Sequence, residues 1–354
     1  MADTPVVSIV LGSYNRFDFL KLAIQSAREE TRDIPHEIIV VDGGSDDGSV
    51  EWLTLQKDII TIVQHNRGEV DGKPIRRKSW GYFMNLAFRS AQADAILMMS
   101  DDTIFHAGAV KNGLQFMQSQ LDAGNKIGAI PFYFHDVGID PANTYKMSVL
   151  FGQPFLNHGI YRKQAMIEVN FADETTYEFF AADADVCYKL AHAGYAVIPC
   201  ETALMLHCPY HPLRHINTPS DRWMRDVTAL VDKWSDVLIK RPSNIIHGYT
   251  DIKTITYVDE THLARVFDDA LAKLEQADNL PQTKTTNTEV RLEQLENRLQ
   301  SVLVAVRYNI RLSEQTMQRI DQVQPHDSRP WYRRVLSTWA IFAPLRKMKA
   351  YLSK

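Results

Sequence analysis

Four polar clusters carry side chains able to hold a charged ligand or move a proton. They are Gly12-Ser13-Tyr14-Asn15-Arg16, Asp42-Gly43-Gly44-Ser45-Asp46-Asp47-Gly48, Ser100-Asp101-Asp102 and Asp183-Ala184-Asp185. Singly, the first three read as turns, because Gly, Ser, Asn and Asp are turn formers. The fourth reads equally as an acidic helix start stabilised by the helix dipole. Together they offer what a nucleotide site needs: an acceptor for a base N–H, backbone groups near a ribose, and an oxygen ligand for a cation that bridges phosphates. Hard divalent cations such as Mg²⁺ or Mn²⁺ take carboxylate oxygens and keep water and phosphate oxygens in their other positions.

Each of the first three clusters follows an apolar run, and these runs must position it. Val6–Leu11 reads as a buried strand and Phe19–Glu30 as a helix. Glu37–Val41 is a second strand, with a helix near Val50–Gln56, and Ile59–Gln64 is a third. Ser79–Ala91 is helical, and Ala95–Met99 is a fourth strand. Apolar runs alternating with helices predict an α/β fold with a mostly parallel, doubly wound sheet. In such sheets ligands bind beyond the carboxyl ends of the strands, so the three clusters converge on one sheet edge. From Lys126 to about Arg225 the pattern is less regular. It holds a strand-like Ile127–Tyr133, the Asp183–Asp185 cluster, a short strand Ala203–Leu206 and a His/Pro-rich loop His207–His215. Asp226–Lys240 reads as a helix.

The bulk composition narrows the class. The chain has 354 residues, 45% hydrophobic and 23% charged, ordinary for globular protein. A net charge of −4 gives no global reason to expect nucleic-acid binding. No basic stretch, apolar core and small-residue cleavage site open the chain, so a secretory leader is not expected. No apolar run is long enough to span a bilayer. Three cysteines, Cys187, Cys200 and Cys208, make no disulfide framework and fit a reducing cytoplasm.

Residues 278–287 (DNLPQTKTTN) are polar and read as a linker. Beyond it, Leu292, Leu295, Leu299, Leu303, Val306, Ile310, Ser313, Met317 and Ile320 recur at spacings of three and four. This heptad-like seam predicts a coiled-coil oligomerisation helix over 288–325; the alternative is one amphipathic helix packed on the main domain. The tail over 328–354 has six basic residues from Arg333 to Lys354 and no acidic residue after Asp327, with Trp331, Trp339, Phe342 and other apolar residues interspersed. Basic residues with Trp and Phe on a short helix suit an anionic membrane surface, and docking on an acidic protein partner is the alternative. A single such helix binds weakly, and an oligomer multiplies it by avidity.

The order of the segments resembles that of the family-2 inverting glycosyltransferases. Residues 8–16 (SIVLGSYNR) resemble that family's first strand and its YNR ending, and residues 37–49 (EIIVVDGGSDDGS) its VVDGGSTDGT segment. Asn85 and residues 93–102 (ADAILMMSDD) resemble its helix, strand and Asp-x-Asp motif. Residues 182–195 (ADADVCYKLAHAGY) resemble the helix that supplies the catalytic base. The likeness covers about Val6 to Arg225 and implies a GT-A type, Rossmann-like sheet within a domain spanning 1–277. It implies Asp42 as acceptor of a base N–H with Tyr14 and Asn15 beside it, Asp101 at the ribose or sugar, and Asp102 as ligand of Mn²⁺ or Mg²⁺. It places Asp183 as the base that takes the acceptor hydroxyl proton, with the leaving diphosphate stabilised by the metal. His207 is a candidate second metal ligand or diphosphate contact, since imidazole ligates when its other nitrogen is held. Arg222, with His211, Arg214, His215 and Arg225, is a candidate closure over the phosphates. The chain departs from the family at Ser100 and Ala182, where acidic residues are usual.

The expectation is a cytoplasmic enzyme, peripheral at the inner face of the cell membrane. It moves sugar from a nucleotide-sugar donor to a glycan or lipid-linked acceptor in surface polysaccharide or glycolipid assembly, with nucleic acid no partner. Two other readings stay open. A nucleotidyltransferase usually shows a Gly-rich phosphate loop with a basic residue directly after the first strand, which residues 12–15 (GSYN) do not supply. An inactive scaffold draws on Ser100 and Ala182. A zinc site from Cys200, His207, Cys208 and His211 lacks a paired cysteine knuckle. Cys187, on an apolar helix face, does not read as a nucleophile.

Overall fold

The computed structural model describes residues 4–254 except 67, 138–139, 141–142, 151–152, 209–219 and 241–246. His211, Arg214, His215, the linker at 278–287, the seam at 288–325 and the tail at 328–354 lie outside the described residues.

The described strands are β1 Val7–Ser13, β2 His36–Asp42, β3 Ile59–Val63, β4 Glu69–Val70, β5 Lys73–Pro74, β6 Ala95–Met98 and β7 Thr103–Phe105. They continue with β8 Ile127–Asp136, β9 Thr144–Leu150, β10 Gln153–Pro154, β11 Gly159–Arg162, β12 Ala196–Val197, β13 Cys200–His207 and β14 His247–Thr254. The helices are α1 Phe17–Glu30, α2 Ser49–Leu55, α3 Trp80–Ser90, α4 Ala109–Asp122, α5 Lys163–Glu168, α6 Ala182–His192 and α7 Ser220–Lys240.

The first half follows the expected alternation. β1 pairs in parallel with β2 and β6, and β2 pairs in parallel with β3. Val7, Ile9, Val10 and Leu11 are fully buried, as suits a strand covered on both faces. Helix α1 turns Leu20, Ala23, Ile24 and Ala27 into the same core. Ser79 caps α3, its hydroxyl accepting from the Tyr82 N–H at 3.0 Å. Glu30, at the end of α1, accepts from the Gly108 and Val110 N–H groups at the start of α4, at 2.8 and 3.3 Å. A carboxylate there meets the positive end of the helix dipole.

The second half departs from the mostly parallel sheet that the sequence predicts. The order β10-β9-β8-β11-β6-β1-β2-β3 describes a mixed sheet, because β11 runs antiparallel to both β6 and β8. β9 runs antiparallel to β8, β10 and β14. The cause is connection length: β8, β9, β10 and β11 follow one another, among the described residues, with no helix between them, and short returns make antiparallel pairs, whereas parallel pairs need a crossover. Gly159 begins β11 at φ +136°, and a Cβ there would stand 2.3 Å from the Ile130 carbonyl oxygen. Only glycine lets the chain turn so close to β8, and that turn sets Asn157 and His158 at the end of the sheet.

β13 ties the halves together. It pairs antiparallel with β7, setting His207 opposite Thr103, and parallel with β8, setting His207 opposite Asp136. The Cys208 N–H then donates to the Asp102 carbonyl at 2.8 Å, which fixes the strand end against the third polar cluster. Among the described residues no helix is long and apolar enough to cross a membrane.

Candidate functional site

The end of β1 and the end of β2 are stitched into one surface. Asn15 adopts the left-handed conformation at φ +51°, which Asn tolerates better than most residues. Its N–H donates to Ser45 Oγ at 2.9 Å, and its Oδ1 accepts from the Asp46 N–H at 3.0 Å. Asp42 is fully buried and accepts from the Gly44 and Ser45 N–H groups at 2.8 and 2.7 Å and from Ser45 Oγ at 2.8 Å. It organises its own turn first; a carboxylate with about four lone-pair sites retains room for one more donor. Tyr14 is 45% exposed and lies on Gly43, where a Cβ would meet its ring at 2.9 Å. An exposed aromatic on a bare backbone suits a planar ligand.

Asp101 and Asp102 follow β6 and are buried. Arg16 reaches both across the site: its Nη1 donates to Asp101 Oδ1 at 2.9 Å and to Asp102 Oδ2 at 2.6 Å. Burial raises the Asp101 carboxyl, with Asp102 adding like charge and Arg16 working against both. Arg16 itself is held charged by the two carboxylates in spite of burial.

The other oxygen of Asp102 faces the histidine that the register predicts. His207 Nε2 stands 3.6 Å from Asp102 Oδ1. The opposite ring nitrogen, Nδ1, lies 2.6 Å from Asp136 Oδ1. Asp136 in turn pairs with the buried Lys146, whose Nζ also donates to Asp140 Oδ1 at 2.8 Å. Burial opposes the charge on Asp136, but bonding to His207 and Lys146 outweighs it and holds the carboxyl down at about 2. A carboxylate behind an imidazole fixes the ring orientation and leaves the far nitrogen as the one presented forward.

Asp183 sits in the first turn of α6, after Ala181 at φ +61°. Its surface is partly open, yet the protein packed around it pushes the carboxyl up to about 6. The Ala184 N–H at 2.8 Å and Asn157 Nδ2 at 3.0 Å work in the other direction. His158, next in the chain to Asn157, packs its ring 5.4 Å from that of His207. One short segment thus touches both the Asp183 side and the His207 side.

Residues 8–169 match the family model described as "Glycosyl transferase family 2". The chain carries a family-2 glycosyltransferase segment. Its mixed sheet with flanking helices is consistent with the GT-A fold of that family. The chain is 29% identical over 117 residues to Protein CgeD of Bacillus subtilis (strain 168), covering 33% of this chain and 27% of that protein. It is 27% identical over 100 residues to a chondroitin synthase of Pasteurella multocida (strain Pm70), covering 27% of this chain and 9% of that protein. The chain therefore spans well under half the length of either relative. Among solved structures, the mannosyltransferase PcManGT from Pyrobaculum calidifontis, in complex with GDP-Man and Mn2+, aligns at a TM-score of 0.47 and 15% identity, over 89% of this chain and 88% of that one.

Of the residues singled out from sequence, Tyr14, Asn15 and Asp42 meet at one corner, and Asp101, Asp102 and His207 at the next. Arg222 Nε pairs with Glu178 Oε1 at 3.0 Å, on the segment leading into α6. Among the described residues no three His, Cys, Asp or Glu side chains form a ready-made metal cage. Cys200 is turned toward the Asn112 carbonyl and Thr202, and the buried Cys187 thiol is pushed up to about 12 by burial first of all. Sequence reasoning quotes Arg16 without giving it a role and passes over Asp136, Lys146, Asn157 and His158. Asp136 had a signal, being the polar end of a long apolar strand. Lys146 and Asn157 had none, because their partners are brought to them by antiparallel returns.

Proposed function

We propose that this chain is an inverting glycosyltransferase, moving a sugar from a nucleotide-diphosphate sugar to an acceptor hydroxyl, with Mn²⁺ or Mg²⁺ at the donor diphosphate. The observation that carries the reading is the placement of Asp102 Oδ1 and His207 Nε2, 3.6 Å apart, with the far side of the imidazole locked on Asp136. The donor set fits a hard divalent cation, which takes one or two protein ligands and completes its shell with phosphate oxygens and water. When bound, such a cation supplies positive charge at the leaving diphosphate.

The chain's own residues do the rest. Tyr14, Asn15 and Asp42 hold the nucleoside: Asp42 accepts from the base, and the Tyr14 ring lies along it. Asp101 contacts the ribose or sugar. Asp183 takes the proton from the acceptor hydroxyl as that oxygen bonds to the anomeric carbon and the bond from that carbon to the diphosphate oxygen breaks. One displacement inverts the anomeric centre. A carboxyl at about 6 is mostly ionised at neutral pH and basic enough to accept a proton in the transition state. A single carboxylate suffices, so Ala182 removes nothing the step requires.

Heptads at 288–325 support a homo-oligomer, and the basic aromatic tail at 328–354 supports attachment to an anionic inner membrane surface, near a glycan or lipid-linked acceptor. Surface polysaccharide or glycolipid assembly is the setting that joins these features.

The test is a panel of UDP-, dTDP- and GDP-sugars with Mn²⁺, read by the nucleoside diphosphate or the sugar 1-phosphate released. Release of a nucleoside diphosphate, lost in Asp183→Asn, supports the reading. Release of sugar 1-phosphate, with the nucleotidyl group passed to the acceptor, would mean nucleotidyl transfer. Donor binding with no turnover on any acceptor would leave an inactive scaffold.

A further inference from the structure

The residue with most unexplained placement is Arg16. It is the N-cap of α1, where a short polar side chain normally accepts from the first helical N–H groups, yet its side chain makes no cap bond. That task falls to Asp47, which accepts from the Phe17 N–H at 2.8 Å. The guanidinium is instead drawn inward, its side chain 15% exposed, to bridge Asp101 and Asp102 with one nitrogen. Removing a long cationic side chain from water is costly unless carboxylates compensate it, and two carboxylates side by side are costly unless a cation compensates them. Each solves the problem of the other. The contact is also asymmetric. Arg16 takes Oδ2 of Asp102 and leaves Oδ1 facing His207.

We propose that Arg16 is a built-in counter-cation for the Asp101–Asp102 pair in the nucleotide-free protein, so that the divalent ion binds tightly only together with the donor diphosphate. This rests on the metal site proposed above and adds the order in which that site fills. With Arg16 in place, the pair is already half neutralised, and an aqueous Mn²⁺ ion gains too little at Asp102 Oδ1 and His207 Nε2 to give up its hydration. A diphosphate brings two further negative charges and its own oxygen ligands, which restores the balance in favour of the ion. The site thereby selects metal-loaded nucleotide over free metal and does not collapse when empty.

The test is Mn²⁺ binding to the full chain without nucleotide, read by electron paramagnetic resonance of the free ion, for the wild type, Arg16→Gln and Arg16→Lys. With the repelling charge gone, Arg16→Gln should bind Mn²⁺ at least about tenfold more tightly than wild type. Arg16→Lys, which keeps the charge, should stay close to wild type. Adding GDP or UDP should tighten the wild type far more than Arg16→Gln. If Arg16→Gln is poorly folded alone, its melting temperature should rise on Mn²⁺ addition by more than that of the wild type. Equal or weaker Mn²⁺ affinity in Arg16→Gln, or no such rise, overturns the proposal while leaving the metal site intact. Absence of Mn²⁺ binding to the wild type even with nucleotide would instead overturn the metal site itself, and the proposal with it.

Discussion

Asn157 Nδ2 donates to Asp183 Oδ2 at 3.0 Å, and it does so from a segment that the antiparallel return of β11 delivers to the end of the sheet. The bond favours the charged carboxylate, and burial favours the neutral acid; burial wins and leaves the group at about 6. The balance makes the acid side of the pH profile a direct report on this pair. Turnover under saturating substrate should fall about tenfold per unit below pH 6, and in Asn157→Ala that limb should move to higher pH, because the donor that favours ionisation is gone. An unmoved limb would separate Asn157 from the titrating group.

Asp183→Asn should abolish transfer while donor binding persists. The same substitution carries a stability signature. The folded carboxyl lies above its ordinary value of 3.8, so its favourable contribution is present below that value and is lost as pH rises through about 6. The variant, which carries no charge, should therefore gain on wild type in chemical denaturation between pH 4 and pH 8, by no more than about 3 kcal/mol. A gap that does not change with pH would place the titration elsewhere.

Asp136→Ala should weaken Mn²⁺ binding in the presence of nucleotide by about 10- to 100-fold, because His207 loses the group that orients it. Asp136→Asn, which keeps a hydrogen-bond partner for Nδ1, should lose less. Equal losses in both would mean that the effect comes from disturbing Lys146 rather than from His207.

Asp185 has a different task from its neighbour two residues earlier. It is fully buried and accepts from Tyr177 Oη at 3.0 Å, Lys233 Nζ at 3.0 Å and Trp234 Nε1 at 2.7 Å, which fastens α7 to α6. Asp185→Ala strands those donors and should cost about 3 kcal/mol in equilibrium unfolding. Donor affinity at the Asp42 corner, which shares none of these hydrogen bonds, should change little in protein that remains folded.

What the sequence made legible follows from what was local. The strands of the first half are short apolar runs ending in Gly, Ser and Asp, so β1, β2 and β6 and their polar ends could be read within a residue or two. Asp42, Asp101, Asp102 and Asp183 could be named because each sits at a strand or helix end. The mixed character of the sheet was not legible, since β9, β10 and β11 are ordered by hydrogen bonding between returns and not by a pattern inside each run. Arg222 was named for its charge, and its pairing with Glu178, 44 residues earlier, left no mark in the residue pattern. The pairing of Arg16 with two carboxylates some 85 residues away could not be read from residue types alone.

The C-terminal features yield a test of their own. A fragment ending at residue 277 should be monomeric by light scattering while the full chain is oligomeric, if residues 288–325 form the seam. An oligomeric fragment would move the interface into residues 1–277.

The most direct measurement is calorimetric titration of the full chain with UDP, dTDP and GDP, each with and without Mn²⁺, in wild type and Asp102→Ala. Micromolar binding of one nucleotide that requires Mn²⁺, and that loses this requirement together with most of its affinity in Asp102→Ala, is the expected result. Binding of the same strength with and without Mn²⁺, unchanged in Asp102→Ala, would contradict a metal-assisted donor site at Asp102 and His207.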